Sequence, residues 1–169
     1  MNLFLLSWNP RQCARWHCDK HVVKMILESV QMLYTAWHIN NQGVPETAPR
    51  GGYKKISNHN HPMAVWVRES LWNYNFCVKV CAGLCLEYTF RYGRIHASTQ
   101  HLLWLSENIP NFEKIEKTMT PQCMPDIYKV EGDPVAGYRN YYIGDKSRFA
   151  KWSKTEPPHW WKKVSVNNK

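Results

Sequence analysis

From Pro10 to His38 the apolar residues recur with the period of an α-helix, and no other feature limits the possible fold so strongly. Asn9 can cap such a helix, Pro10 suits its first position, and Gln12 stands where a capping-box partner belongs. At ~100° per residue, Trp16, Val23, Ile26, Leu27, Val30, Leu33, Tyr34 and Trp37 make one broad apolar face. His17, Lys20, His21, Lys24, Glu28, Gln31 and Thr35 occupy the other side. Asp19 is the misfit, projecting among apolar residues where an unpaired carboxylate is costly. It is expected to meet a buried Arg, Lys, His or Trp from elsewhere in the chain.

A second helix is expected from Pro62 to Tyr92, closed by Gly93. Met63, Val67, Leu71, Tyr74, Val78, Cys81, Cys85, Tyr88 and Tyr92 form its apolar face, and Glu69, Asn73, Glu87 and Arg91 share another stripe. Between the two helices, residues 39–61 read as loop, rich in Gly, Pro and Asn. A loop of that length in a compact domain is often functional, and this one ends in the polar run Asn58-His59-Asn60-His61-Pro62. Before the first helix, residues 3–6 are a small strand or a buried entry segment. Beyond Gly93, Ser98 or Thr99 opens a short helix ending before Pro110, and a brief helical piece spans Phe112 to Lys117. Asp133-Pro134 opens a last helix running through Trp152, which Gly144 kinks or splits. The run Pro157 to Lys163 is too aromatic for a free tail and is expected to pack back, while Val164 to Lys169 fray. The reading is a compact all-α fold, one domain over residues 1–169, with two long helices and shorter C-terminal ones.

Composition narrows the partners. A formal charge of +9 favours anions, of which phosphates are the commonest. Nine Trp and nine Tyr interleaved with Lys and Arg are what base stacking on a basic surface requires, although the plainer role of any single one is to fill the core. No signal peptide or membrane-spanning run is visible. The six cysteines form no Cys-x-x-Cys pair, and Cys77, Cys81 and Cys85 share a helix face as buried small hydrophobes. These features point to a reducing, cytoplasmic setting.

Three clusters carry possible chemistry. The stripe of His17, Lys20, His21 and Lys24 offers several donors to one anion, with Glu28 as a carboxylate that can act as acid or base. A lysine beside other cations can serve as an amine nucleophile toward a sugar carbon. The plain alternative is a solvated face with a Lys24–Glu28 pair. His17 and His21, four apart, have the spacing that lets two imidazoles share an ion, with His59, His61, Cys18 or Asp19 completing the set. Against this, Lys20 and Lys24 repel a cation, so no metal and no cofactor is assigned. The second cluster, Arg68, Ser70, Asn73, Glu87 and Arg91, is either internal salt bridging or a facing wall in which Asn73 and Arg91 read a ligand edge. The third, Arg139, Tyr141, Tyr142, Lys146, Arg148 and Lys151, fits contacts to backbone phosphates. No P-loop, Rossmann glycine fingerprint, Ser/His/Asp elbow or Cys nucleophile motif is present.

His17-Cys18-Asp19-Lys20-His21-Val22-Val23-Lys24-Met25, Glu87-Tyr88 with Arg91-Tyr92-Gly93, Met124-Pro125-Asp126 with Tyr128, and Tyr138-Arg139 with Tyr141-Tyr142 together resemble a set of proteins of phages and large DNA viruses. More distantly, the first ~95 residues resemble the pyrimidine-dimer DNA glycosylases of the phage endonuclease V type, with a short opening segment, a helix bearing a polar stripe and a later His-led helix. That resemblance implies a compact all-α DNA-binding enzyme that cleaves a glycosidic bond through an amine. The family uses its amino-terminal amine and a glutamate on the first helix. Here that glutamate's position falls at or near Lys24, and Glu28, one turn on, is the available carboxylate. Asn2 does not favour removal of Met1. The expectation is an enzyme acting at an N-glycosidic bond, with Lys20 or Lys24 as amine or phosphate contact, Glu28 as acid/base, and His17 and His21 orienting substrate. Sequestration of a nucleotide or cyclic-nucleotide signal, or metal-dependent phosphate hydrolysis, are the alternatives. The expected partner is a nucleic acid or phosphorylated nucleotide and not a membrane, and the oligomeric state is open.

Overall fold

The computed structural model describes residues 1–54, 56 and 58–161. Asn9 accepts the amide of Gln12 at 3.0 Å, and Pro10 opens α1 (Pro10–Trp16) where the sequence places it. The helix then stops. His17 and Cys18 are extended, and α2 (Asp19–Asn40) starts afresh, so the single helix expected to His38 is two. The cause is Arg91, whose guanidinium donates to the carbonyls of Arg15 and His17, both at 2.9 Å. In a continuous helix those carbonyls would accept from residues 19 and 21. The Asp19 amide instead donates to the carbonyl of Lys151 at 2.8 Å.

The second long helix is also divided, into α3 (Pro62–Glu69) and α4 (Leu71–Tyr92). Ser70 between them is extended and pairs in a parallel bridge with Lys114, while its hydroxyl accepts the Asn73 amide. Residues 113–118 are thus a strap across the α3–α4 junction, not the short helix expected over Phe112 to Lys117. Gly93, at φ +68, ends α4 in the left-handed conformation that favours glycine. Ser98 precedes α5 (Thr99–Glu107), and Asp133 caps α6 (Pro134–Gly144) through the Ala136 amide. A side chain at Gly144 would strike the Tyr128 ring, and the helix ends there. Lys146 and Arg148 then lie in a 3₁₀ turn, with Lys151 and Trp152 beyond it.

The fold is all-α, with α2 and α4 at its centre and one apolar cluster running through the helices. Residues 3–6 are the buried entry segment, crossing beneath α2 and α6 with Phe4 packed on His21, Tyr138, Tyr141 and Tyr142. Because α2 is covered on most sides, its His21, Glu28, Ser29 and Thr35 are buried as well. Val23 and Leu27, expected in the core, are instead 39% and 40% exposed. All six cysteines are free thiols. The loop before α3 is held by the His38 ring on the Tyr53 carbonyl and by the Tyr53 hydroxyl on Ser98. At the other end Trp160 packs on Trp16 and Trp161 on Trp152, so the chain does fold back, whereas residues 164–169 lie outside the described residues. Among the described residues no helix is long and apolar enough to cross a membrane.

Candidate functional site

Glu28 faces the opening residues of the chain. Its Oε2 accepts the Asn2 amide at 2.8 Å and lies 3.7 Å from the Met1 nitrogen, and Lys24 Nζ stands 3.4 Å from Oε1. The carboxylate is buried while the Lys24 side chain, one turn earlier, is 70% exposed. Asn2 is itself fixed: its Nδ2 donates to the Cys123 carbonyl, and its Oδ1 accepts from the Tyr138 hydroxyl and the Leu3 amide. Through Asn2, α6 and residues 121–125 position the carboxylate carried by α2.

His61 completes this end of the site. It caps α3, its Nδ1 accepting the Met63 amide at 3.2 Å. Burial and the nearby Met1 ammonium hold its pKa below the usual imidazole value, with Glu28 pulling the other way. His61 borders a cavity of about 620 Å³ whose other walls are Pro62, residues 121–125, Lys129 and Tyr141.

Tyr141 leads to the second half of the site. Lys146 donates to its hydroxyl at 3.0 Å, sits 4.2 Å over its ring, and pairs with Asp145 at 2.8 Å. Burial opposes the Lys146 charge, but Asp145 and Tyr141 raise its pKa above the ordinary lysine value, so it is an ammonium. Phe4, packed against Tyr141, stacks on His21 at 4.4 Å, and His21 Nδ1 bonds the Tyr142 hydroxyl. Burial, then His17, Lys146 and Lys24, push the His21 pKa down to about 3. His17, fully buried, is pushed down to about 4 by burial with a contribution from Arg91, and its Nδ1 faces the Cys13 carbonyl at 2.8 Å. Both imidazoles are neutral near pH 7.

The expected stripe therefore separates. Lys24 and Glu28 meet, with His21 close by and His61 added from α3. His17 is buried at the α1–α2 break and cannot orient a substrate directly. Lys20 is exposed and stands over Phe149 at 5.2 Å, away from the carboxylate. His59 is exposed, and among the described residues its carbonyl alone is engaged, by Arg68. Asn73 is buried and fully spent on the Trp66 carbonyl and on Thr118, so it reads no ligand edge. Arg91 is equally committed, to Glu87, Asp19 and two carbonyls, and Arg68 with it forms no wall facing the stripe. Arg139 donates to the Leu6 carbonyl and stacks between Trp16 and Trp160, apart from Tyr141 on the same helix. Tyr142 is buried and acts through His21, while Lys146 reaches the site through Tyr141. The amino-terminal nitrogen was expected through the resemblance alone and Tyr141 as a phosphate contact, whereas Asn2 and residues 121–125 were not among the expected site groups. The dense Met124-Pro125-Asp126 run is their only sequence signal.

The arrangement offers a carboxylate flanked by two nitrogens, joined through Asn2 and Cys123 to a cavity bordered by His61, Lys129 and Tyr141, with the Lys146 ammonium on the Tyr141 hydroxyl. No three His, Cys, Asp or Glu side chains converge as a metal site among the described residues, although the His17 and His21 rings stand 6.4 Å apart. A larger cavity of about 950 Å³, between α1, α4 and residues 152–157, touches none of these groups. No protein-family model matches the chain, and no curated protein or solved structure matches it.

Proposed function

We propose that this chain is a DNA glycosylase-like enzyme that cleaves an N-glycosidic bond through an amine, the activity implied by its resemblance to the pyrimidine-dimer glycosylases. The observation supporting it is the buried Glu28 carboxylate between two candidate amines, Lys24 Nζ at 3.4 Å and the Met1 nitrogen at 3.7 Å. The amine first gives its extra proton to water, and the lone pair of the neutral amine attacks C1′ of the sugar. The C1′–N bond breaks with its electron pair on the base, which takes a proton from water. Glu28 accepts the proton lost by the amine and returns it to O4′ as the ring opens, leaving an iminium on the enzyme. Lys146 and Lys129 supply positive charge near the cavity for flanking phosphates.

Borohydride reduces such an iminium to a stable secondary amine. Incubating the protein with duplexes carrying an abasic site or a pyrimidine dimer in the presence of borohydride is expected to give a covalent adduct, and the adduct-bearing peptide identifies the amine. Glu28→Gln is expected to abolish the adduct. No adduct and no loss of base from wild-type protein sinks the reading.

One observation favours a second reading. Glu28 already receives the Asn2 amide and Lys24, as a purely structural carboxylate would. The same cavity would then hold a nucleotide or cyclic nucleotide without altering it. Recovering the bound ligand after denaturation separates the two, since intact ligand supports sequestration and altered ligand supports the enzyme.

A further inference from the structure

We propose that His61 is held as the neutral Nε2–H tautomer by its own helix cap and presents that N–H to the sugar ring oxygen of the nucleotide in the cavity. This rests on the reading above and assigns one hydrogen bond within it. The argument begins at the start of α3. The first amides of a helix have no partner inside it, and Pro62 removes one of them, so Met63 carries the first donor in need of an acceptor. His61 Nδ1 supplies that acceptor at 3.2 Å. A nitrogen that accepts an N–H bond carries no proton, so in the neutral ring the proton is on Nε2. Protonating Nδ1 would set two N–H groups against each other and lose the cap.

Asp, Asn, Ser or Thr caps helices better than histidine does. What His61 adds is the second nitrogen, which has no protein partner among the described residues and belongs to a ring bordering the cavity. The charged groups around it are the Met1 nitrogen from the entry segment, Glu28 from α2 and Lys129 across the cavity. The Met1 ammonium disfavours a second positive charge beside it, and that keeps the ring a neutral donor. His61 thus stands next to the pair of groups proposed to act at C1′, and O4′ is bonded to C1′. An N–H there binds O4′ in the ground state and strengthens its bond as negative charge gathers on that oxygen during ring opening. Positioning by a neutral imidazole of fixed tautomer needs no proton transfer from the histidine.

Nitrogen-15 NMR of the imidazoles and a capping-competent variant test this. At pH 7 the His61 ring is expected to show Nδ1 unprotonated and Nε2 protonated, and the Nε2–H signal is expected to shift on saturation with a duplex containing a tetrahydrofuran abasic site, which retains the ring oxygen. His61→Ser keeps a cap but removes the donor. Its melting temperature is expected to stay near that of wild type while the borohydride-trapping rate falls roughly tenfold or more. An Nδ1–H tautomer, an imidazolium, an unmoved signal in the saturated complex, or full trapping by His61→Ser overturns the proposal. A His61 signal that shifts while wild type gives no adduct fails the glycosidic reading and leaves the hydrogen bond standing. A trapped wild type with an unmoved His61 signal does the reverse.

Discussion

Arg91 and Asp19 meet at 3.0 Å across the junction where α1 stops and α2 begins, 72 residues apart in the chain. The same guanidinium holds Glu87 at 2.8 Å and the carbonyls of Arg15 and His17, while Asp19 also receives the amide and hydroxyl of Ser153. One buried fork therefore joins the end of α4 to the start of α2 and, through Asp19, to Ser153. Lysine cannot make this set of bonds, because its ammonium is a point donor without the planar fork. Arg91→Lys is expected to lose about 3 kcal/mol of stability, the lower range for breaking a buried pair. That corresponds to a fall of roughly 6–12 °C in Tm for a chain of this size, measurable by calorimetry.

His17 and His21 make stability depend on pH. Their pKa values fall from 6.5 in the unfolded chain to about 4 and about 3 in the fold. The unfolded state therefore binds more protons below pH 6.5. The stability that the two neutral rings contribute is complete above 6.5 and declines as pH falls, to about 4 for His17 and about 3 for His21. The slope is at most about 1.4 kcal/mol per pH unit for each ring. Melting temperatures are expected to stay level from pH 7.5 to about 6.5 and to drop steadily from there to pH 4.5, and His17→Asn is expected to flatten part of that decline. A wild-type curve flat across this window contradicts the burial of both rings.

Much of the architecture can be read from local chemistry. Asn9-Pro10, Asp133-Pro134 and Gly93 act on their own neighbouring amides and carbonyls, so the helix ends they govern follow from a few adjacent residues. The break at His17 and Cys18 has no glycine or proline to announce it. It depends on a guanidinium 74 residues away taking the His17 carbonyl, and a helical period carries no record of such a contact. The break at Ser70 is set in the same way by Lys114. Asp19 was readable as a misfit needing a cation because a carboxylate on an apolar face is costly wherever its partner lies. In the site, Lys24 and Glu28 were readable because i,i+4 spacing joins them. The walls of the cavity were not, since Gln122 to Pro125 reach it through irregular backbone with no period to follow.

Asn73 lay on a polar stripe, yet its amide spans the α3–α4 junction. Its Nδ2 donates to the Trp66 carbonyl at 2.8 Å and to Thr118 at 2.7 Å, and its Oδ1 accepts the Thr118 amide. Asn73→Ala leaves these buried groups unpaired and is expected to cost about 2–3 kcal/mol. Urea denaturation measures the loss. Affinity for an oligonucleotide, measured below the unfolding range, is expected to remain at the wild-type value, and a specific loss of affinity would return Asn73 to the binding surface.

Lys20 and Lys24 are four residues apart on α2 and both exposed, but only one of them stands beside the carboxylate. Lys24 Nζ is 3.4 Å from Glu28, whereas Lys20 Nζ stands 5.2 Å over the Phe149 ring. Loss of a phosphate contact would weaken both variants alike, because long-range attraction to a polyanion is insensitive to which surface lysine supplies it. Loss of an amine or of its partner at C1′ would affect Lys24 alone. Lys24→Ala is therefore expected to lower the borohydride-trapping rate on an abasic duplex at least tenfold with DNA already saturating. Lys20→Ala is expected to trap at the wild-type rate under the same saturation and to differ only in the salt dependence of binding. If the adduct peptide from wild type contains Met1 instead of Lys24, Lys24→Ala is expected to leave the adduct in place and slow its formation, because Glu28 then lacks the cation that pairs with Oε1. Equal rates for the two lysine variants would remove Lys24 from the site and leave Glu28 and the Met1 nitrogen as its only reacting pair.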